Sequence, residues 1–470
     1  MGKIICSLIS ILSLAVFVSV LAGADSGKLG NDQETSMSKP REAVLMNSFS
    51  IEPFGGDVLE IADLNGDGEL EMLTLQTAGQ FCSKVYSNRT DLDEVDRTLH
   101  CLTAVTWDGE ILWQDGVPYN RDMPFTGHGA QAGNMMLAVG DIDSDGKPEV
   151  MVIRHGELAI LDPETGKTKR SVALPSDNYI KIYTAQLGPP EKGRQIICRV
   201  NDTSYKPWGY ANPNIVYNAD LSVYHEPFSV RGAGHNLVVM DINGDGRDEL
   251  FIGYSLLDHE CNAIWSVDAK EHADHIGVSD LNDDGKLEVR YAGSKDFFVT
   301  DLSGKILWES SAGHSQTSME GPWGSNGEKL IIMCEKNRGL WGMDTTGNVL
   351  WNNKNINGYA VADVKWSRDG VRRSWALFRP QLKTIKPTPY ESDPAWSTTL
   401  WPRFLDGDGT LIDVFPWKDD YVQPKRLIRA ERSYDCGVKY YPMTSDIDGD
   451  GLDEVIIYDR SQVWVFRSPE

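Results

Sequence analysis

Basic residues are scarce in this chain. Lysine and arginine number 45 against 69 aspartates and glutamates, a formal net charge of −24 over 470 residues. That balance speaks against nucleic acid as a partner, because a phosphate backbone needs a basic surface. An anionic ligand would need a local basic pocket. Long apolar runs are missing after the first 24 residues, so no later stretch is expected to span a bilayer. No long amphipathic helix can be traced, and no paired-carboxylate signature of a glycoside hydrolase is found. Cysteine is sparse. Cys6 lies in the N-terminal apolar run, and Cys82, Cys101, Cys198, Cys261, Cys334 and Cys436 follow. Cys82 and Cys101 bracket a polar insert and are the expected disulfide, while the scattered others are expected as buried thiols.

The N-terminus does hold one apolar run, Ile4 to Leu21, preceded by Lys3 and followed by Ala22-Gly23-Ala24. Charge, apolar core and a small-residue site read as a secretory signal over 1–24, with a membrane anchor as the alternative. Secretion or a periplasmic location follows, with no membrane attachment after cleavage. Residues 25–42 are polar and read as a disordered linker. Strand-like runs fill 43–470.

What is abundant is an acidic turn. Asp241, Asn243, Asp245 and Glu249 stand at positions 1, 3, 5 and 9 of a loop with glycine at 6, and Asp280, Asn282, Asp284 and Glu288 repeat it. Further copies are Asp63, Asn65, Asp67, Glu71; Asp141, Asp143, Asp145, Glu149; and Asp446, Asp448, Asp450, Glu454, with a degenerate one at Asp406-Gly-Asp408. Oxygen ligands at this spacing are the front half of an EF-hand-like calcium loop. Here the flanks are β-branched and aromatic, so the ion would pin a turn between strands. Calcium is therefore the expected metal. The first aspartates are 78, 100, 39 and 166 residues apart. Most of these are near multiples of about 40, the period of a four-stranded blade, and the 100 requires an insertion. A second phrase, a turn followed by a strand ending in an aromatic, recurs in TAVTWDGEILW, FFVTDLSGKILW and LWGMDTTGNVLW, and more weakly in LAILDPETGKTK and IVYNADLSVYH. The fold class expected is all-β, a β-propeller of seven or eight blades.

Two groups of residues invite chemistry. His235, His275 and His314 are 40 and 39 residues apart, one blade period each, and should converge at one end of a central channel. His272 is on the same strand face by period-two counting and is an alternative to His275. Imidazoles gathered from several blades suit zinc; the alternative is hydrogen-bonded structural histidines. The second group is His128, His155, Tyr183 and Arg199, on the blades before that ring. Arg199 ends an apolar strand, so its charge needs an anionic partner. A cation near Tyr183 would lower the phenol's pKa.

The acidic turns resemble the calcium repeats of FG-GAP and VCBS-type propellers. The span from about Gly127 to Trp323, carried by GHNLVVMDINGDGRDELFIGYSLLD, HADHIGVSDLNDDGKLEV and GKILWESSAGHSQ, resembles propeller-fold polysaccharide lyases. These include rhamnogalacturonan lyases of family 11 and ulvan lyases of families 24 and 25. The additional N-terminal sandwich of family 11 is not expected here. The resemblance implies β-elimination on an anionic, uronate-containing polysaccharide by a monomer, with catalytic roles for His128, His155, Tyr183 and Arg199. A non-catalytic calcium propeller that binds glycan or protein is the competing expectation, and a quinone-dependent dehydrogenase propeller a weaker one. Fold alone does not separate them.

Overall fold

The computed structural model describes residues 41–56, 58–77, 100–118, 136–176, 179–200, 212–269, 271–293, 295, 297–310, 313–324, 326–335, 339–353, 358–368, 373–378, 403–405, 407–409, 411–414, 441–458 and 461–470. His128, Cys82, Cys436, Asp406 and the segment 1–40 lie outside them.

Among the described residues eight sheets, antiparallel but for one short parallel pair, follow one another along the chain, each a blade. Their inner strands are Val58–Ala62, Leu137–Gly140, Tyr179–Ala185, Leu237–Met240, Ala273–Ser279, Ser315–Gly321, Gly358–Val364 and Tyr441–Ser445. The eighth blade takes its outermost strand, Val44–Ser50, from the other end of the chain, where it pairs with Gln462–Arg467. This pairing closes the ring, and Phe49, Ile51, Leu59, Met72, Ile456 and Val463 fill one core across the join. Arg41 and Glu42, expected in a disordered linker, instead pair in parallel with Asp413 and Val414 of blade 7.

The sequence of each strand follows its depth in the blade. Second strands such as Glu149–Arg154, with the sequence EVMVIR, are buried almost throughout, because neighbouring blades cover both faces. Outermost strands such as Thr168–Ala173 alternate between exposed and half-buried positions, since one face meets water. The five complete acidic turns fall directly after the inner strands of blades 1, 2, 4, 5 and 8. The interval of 100 residues is therefore mainly an entire blade without such a turn, blade 3, whose inner strand leads instead into a short 3-10 turn at Pro190–Lys192.

The recurring aromatic at the end of the outermost strand is an inter-blade staple. Trp113 Nε1 donates to Pro163 O at 2.7 Å, Trp265 to Leu302 O at 2.8 Å and Trp351 to Gly407 O at 2.6 Å, each a carbonyl in the next blade's outer hairpin. The weaker copies of the phrase keep the bond and change the donor. Arg170 Nε reaches Ala219 O at 2.7 Å, and the Tyr224 hydroxyl reaches His259 O at 3.2 Å. At the ring closure Asn47 donates to Trp107 O at 2.6 Å while Phe49 packs on Gly109. A glycine lies under each indole: a Cβ on Gly166 would stand 2.3 Å from Trp113. Trp113→Ala should cost about 3–5 kcal/mol, and Gly166→Ala should also destabilise, through that clash and its positive φ of 66°. Thermal melts of both variants check this.

Candidate functional site

Inner strands all run the same way through the disc. The acidic turns therefore lie on one face, and the segments leading into the inner strands lie on the other. His235, His272 and His314 occupy those leading segments in blades 4, 5 and 6. Their Nε2 atoms converge on one carboxylate. His235 and His272 stand 3.5 and 3.4 Å from Asp274 Oδ1, and His314 stands 3.4 Å from Oδ2. Asp274 is buried, as is His272. Burial pushes the Asp274 carboxyl up, but hydrogen bonds from His272 and His314, with the charges of His272 and His235, outweigh it and hold the group well below the ordinary carboxylate range.

Asp274 is the extra residue of a β-bulge: Ala273 pairs with Gly293 and His275 with Ala292, leaving Asp274 between them. The cluster accordingly contains His272, two residues before Asp274. His275, favoured by counting one blade period, is buried but not part of the group of ligand atoms. Ligand atoms of His235, His272 and Asp274 lie within 4.8 Å of one another. Separations of 3.4–3.5 Å lie at the long end of the hydrogen-bond range. They match the ligand–ligand edge, about 3.3–3.4 Å, of a tetrahedral zinc with bonds near 2.0–2.1 Å. The donor set thus fits zinc.

Tyr183 and Arg199 belong to blade 3 and meet this cluster from the side. The Tyr183 hydroxyl lies 3.5 Å from Asn236 Oδ1, which also accepts from Lys181 Nζ at 3.0 Å, and Asn236 Nδ2 donates to Asp274 O at 3.5 Å. Lys181 also donates to His235 O. Arg199 is fully buried and donates from Nη2 to Ala233 O and, at 2.9 Å, to Gly234 O. The partners of Arg199 among the described residues are therefore carbonyls of the segment bearing His235, where the sequence led us to expect an anion. Its Nε and Nη1 have no hydrogen-bond partner among the described residues. Burial lowers the Arg199 pKa to about 10 although Tyr183 opposes it, and burial, then Arg199, depresses Lys181. The Tyr183 phenol is raised, because burial outweighs the charge of Arg199. This corrects the expectation of a lowered value, and the phenol keeps its proton at neutral pH.

Lys181 and Asn236 escaped the sequence reading. A charged residue inside the apolar inner strand YIKIYTA, two positions before Tyr183, was the available signal.

His155 lies on the histidine face but in blade 2. It occupies the hairpin between Glu149–Arg154 and Glu157–Leu161, with φ of 51° beside Gly156 at 75°, a pair suited to a two-residue turn. Its exposed ring meets His100 edge-on, with centroids 5.9 Å apart. His100 Nε2 lies 2.9 Å from Asp115 Oδ2, and Arg154 pairs with the same carboxylate. Burial first, then Arg154, holds His100 at about 4, below its ordinary 6.5. The unfolded chain thus takes up a proton that the fold refuses. Stability from this group is complete above about pH 6.5 and is lost as the pH falls through 4. The loss is about 3 kcal/mol. Urea unfolding across that window should show the slope in the wild type and lose it in His100→Gln, which keeps a donor for Asp115.

On the opposite face the acidic turns share one geometry. In blade 4 Asp241 accepts from Gly244 N at 2.7 Å and Gly246 N at 2.9 Å, Asn243 from Asp245 N, and Glu249 Oε2 from Ile242 N at 3.1 Å. Carboxylates of Asp141, Asp143 and Glu149, and of Asp446, Asp448 and Glu454, each come within 4.8 Å of one another. Burial first, with Asp448 and Asp446 adding to it, raises Glu454 to about 7. Hard oxygens gathered at this cost in repulsion fit calcium. A cavity of about 650 Å³ opens beside these turns between blades 2 and 3, but its Arg170 is already committed to Ala219 O and Asp143. Cys101 is a free buried thiol 3.5 Å from Thr103 Oγ1, and Cys82 lies outside the described residues.

Comparison with known proteins finds distant relatives of the chain. Over 373 residues the chain is 23% identical to the rhamnogalacturonan exolyase YesX of Bacillus subtilis, a match covering 68% of this chain and 57% of YesX. The chain is a distant relative of the rhamnogalacturonan lyases. A second match, 35% identical over 100 residues, is to the rhamnogalacturonan endolyase YesW of the same bacterium, covering 19% of this chain and 15% of YesW. The relationship to polysaccharide lyases is thus at the level of a distant family, and the matched region spans little more than half the length of YesX. The crystal structure of YesX superposes with a TM-score of 0.59 at 16% identity, covering 91% of this chain and 74% of that one. The Vibrio cholerae biofilm matrix protein Bap1 superposes with a TM-score of 0.57 at 13% identity, covering 92% and 91%. At these identities the structural likeness concerns the fold alone. No family model matches the chain, so the resemblance of the acidic turns to FG-GAP and VCBS repeats rests on their own residues.

Proposed function

We propose that this protein is a secreted or periplasmic polysaccharide lyase that cleaves a uronate-containing, rhamnogalacturonan- or ulvan-like polysaccharide by β-elimination. The observation that carries the proposal is the sequence relationship to YesX, a rhamnogalacturonan exolyase, across 68% of the chain. The disposition of Tyr183 and Arg199 beside the histidine cluster supports it. Elimination needs a base for the poorly acidic C5 proton, a cation to stabilise the enolate formed next to the C6 carboxylate, and an acid for the departing O4. Arg199 supplies the cation through Nε and Nη1, which have no hydrogen-bond partner among the described residues. Tyr183, kept protonated by burial, gives its proton to O4. His155 of the same face, or His128, takes the C5 proton. The electron pair of the C5–H bond forms the C4–C5 double bond as the bond from C4 to O4 breaks.

Calcium in the five acidic turns and zinc at His235, His272 and Asp274 belong to the same proposal. Zinc there would tie blades 4 and 5 together around Asp274, with His314 of blade 6 as its neighbour, and calcium would pin the turns. A monomer is expected.

A panel of ulvan, rhamnogalacturonan, pectin and alginate, followed by the ultraviolet absorbance of unsaturated uronate, tests the activity. The second reading, a non-catalytic glycan-binding or protein-binding propeller, is favoured by the full burial of Arg199 and by the likeness to Bap1, a biofilm matrix protein. Binding of a panel member without any rise in absorbance would select it.

A further inference from the structure

We propose that the blade 4 turn, counted above with the calcium turns, forms with His259 a mixed nitrogen–oxygen metal site of Asp245, Glu249 and His259 that prefers a transition-metal dication of the zinc or cobalt class over the calcium of the other four turns. One ligand atom from each of these residues lies within 4.8 Å of the others. The carboxylates come from the acidic turn after the inner strand. The imidazole comes from a different element, the hairpin joining Ser255–Leu257 to Ala263–Ser266.

Other blades have the same hairpin. Its first residue, Thr106, Asn218, Asp258, Asp301 or Asp344, donates its backbone N–H to the residue four further on. The next position holds Trp107 in blade 1, Ala219 in blade 3, Leu302 in blade 5 and Thr345 in blade 6. Blade 4 alone among these has a metal-binding side chain there, so it departs from its neighbours at the point facing an acidic turn.

The position is also rigid. Tyr224 of blade 3 donates to His259 O at 3.2 Å, the staple described above. Asp258 caps the hairpin by accepting from Glu260 N at 2.9 Å and Asn262 N at 2.8 Å. Glu249 is buried and held by Ile242 N and by Asn243 Nδ2 at 3.0 Å. The backbone that carries both donor types is therefore fixed before an ion arrives, which lowers the ordering cost of binding.

Donor chemistry decides the ion. Calcium takes oxygen ligands almost exclusively, and replacing an oxygen by imidazole shifts preference to zinc, cobalt or nickel. The bound ion would tie the inner turn of blade 4 to its outer hairpin. That is a cross-link within one blade that the all-oxygen turns do not make.

The test uses the full chain, stripped with chelator and dialysed against excess calcium with limiting zinc. Zinc uptake is then measured by elemental analysis in wild type, His259→Ala, His259→Gln and His235→Ala. We expect both His259 variants to bind one zinc fewer than wild type, and to lose one of the visible absorption bands seen when cobalt replaces zinc. Calcium uptake in these variants should be undiminished. The His259 side chain is partly exposed on a hairpin, and melting curves in calcium confirm that the variants fold. Equal zinc uptake by wild type and both His259 variants overturns the site, as does a wild type that binds no zinc at all. Unchanged uptake in His235→Ala refutes the histidine-cluster zinc alone, so the two proposals fail separately.

Discussion

Tyr183→Phe should lower the rate of elimination about 10²–10⁴-fold, the usual cost of losing a general acid, while leaving the melting temperature nearly unchanged. The structural cost is modest because the hydroxyl's contacts are the 3.5 Å one with Asn236 Oδ1 and a hydrogen bond with the backbone of Leu237. The ring, which packs against a hydrophobic core shared by blades 3 and 4, is kept. Arg199→Ala should lower the rate by about a hundredfold or more through lost charge stabilisation, but it also releases the carbonyls of Ala233 and Gly234. Its effect must therefore be read beside Arg199→Lys. Lysine keeps the charge and loses the fork of donors. A role confined to packing would leave Arg199→Lys destabilised but catalytically competent in proportion to its folded fraction. Steady-state rates with melting curves for all three variants separate these outcomes. Near-normal rates in Tyr183→Phe and Arg199→Ala would remove both residues from the chemistry.

Chelation should lower the melting temperature by on the order of 10 °C, and added calcium should restore it. Five turns gather carboxylates that repel one another, and burial with its neighbours already pushes Glu454 to about 7. An ion that binds only the folded state stabilises it by about 2.7 kcal/mol for each site at a hundredfold excess over its Kd. In a chain of this length that sum moves the midpoint by the amount stated. Scanning calorimetry in calcium and in chelator measures it, and equal midpoints would take calcium out of the proposal. Asp446→Asn, in the turn of the blade that closes the ring, should reproduce part of the loss.

The architecture was legible in the sequence because two signals recur at blade spacing. The acidic turn marks blades 1, 2, 4, 5 and 8, and the outer-strand aromatic marks several of the same blades and blade 6. Blades without the acidic turn were harder to see. Blade 3 reads as an insertion since its turn is built from Pro190–Lys192, and its staple donor is Tyr224, where blades 1, 4 and 6 use tryptophan. The physical requirement is a donor to the next blade's carbonyl, and Trp, Tyr, Arg and Asn all meet it, so residue identity drifts while the bond stays.

The histidine cluster was legible to within one choice. Period counting favours His275, but the bulge at Asp274 inserts a residue that linear spacing cannot register. His272 is delivered to the cluster as a result. Arg199 shows a different limit. A buried guanidinium at a strand end argued for an anion, yet backbone carbonyls at the start of the next blade's inner strand take its Nη2. Such acceptors leave no trace in sequence. Lys181 and Asn236 are tied to the site by the same kind of contact across blades.

Elimination adds no water to the product, and hydrolysis adds one. The most direct measurement is therefore mass spectrometry and proton NMR of oligosaccharides released from rhamnogalacturonan or ulvan in ¹⁸O-labelled water. We expect a 4,5-unsaturated uronate at the new non-reducing end, with no label introduced at the cleavage step. Saturated non-reducing ends, with label on the anomeric oxygen of the new reducing ends, or no cleavage of any uronate polysaccharide that the protein binds, would contradict a lyase.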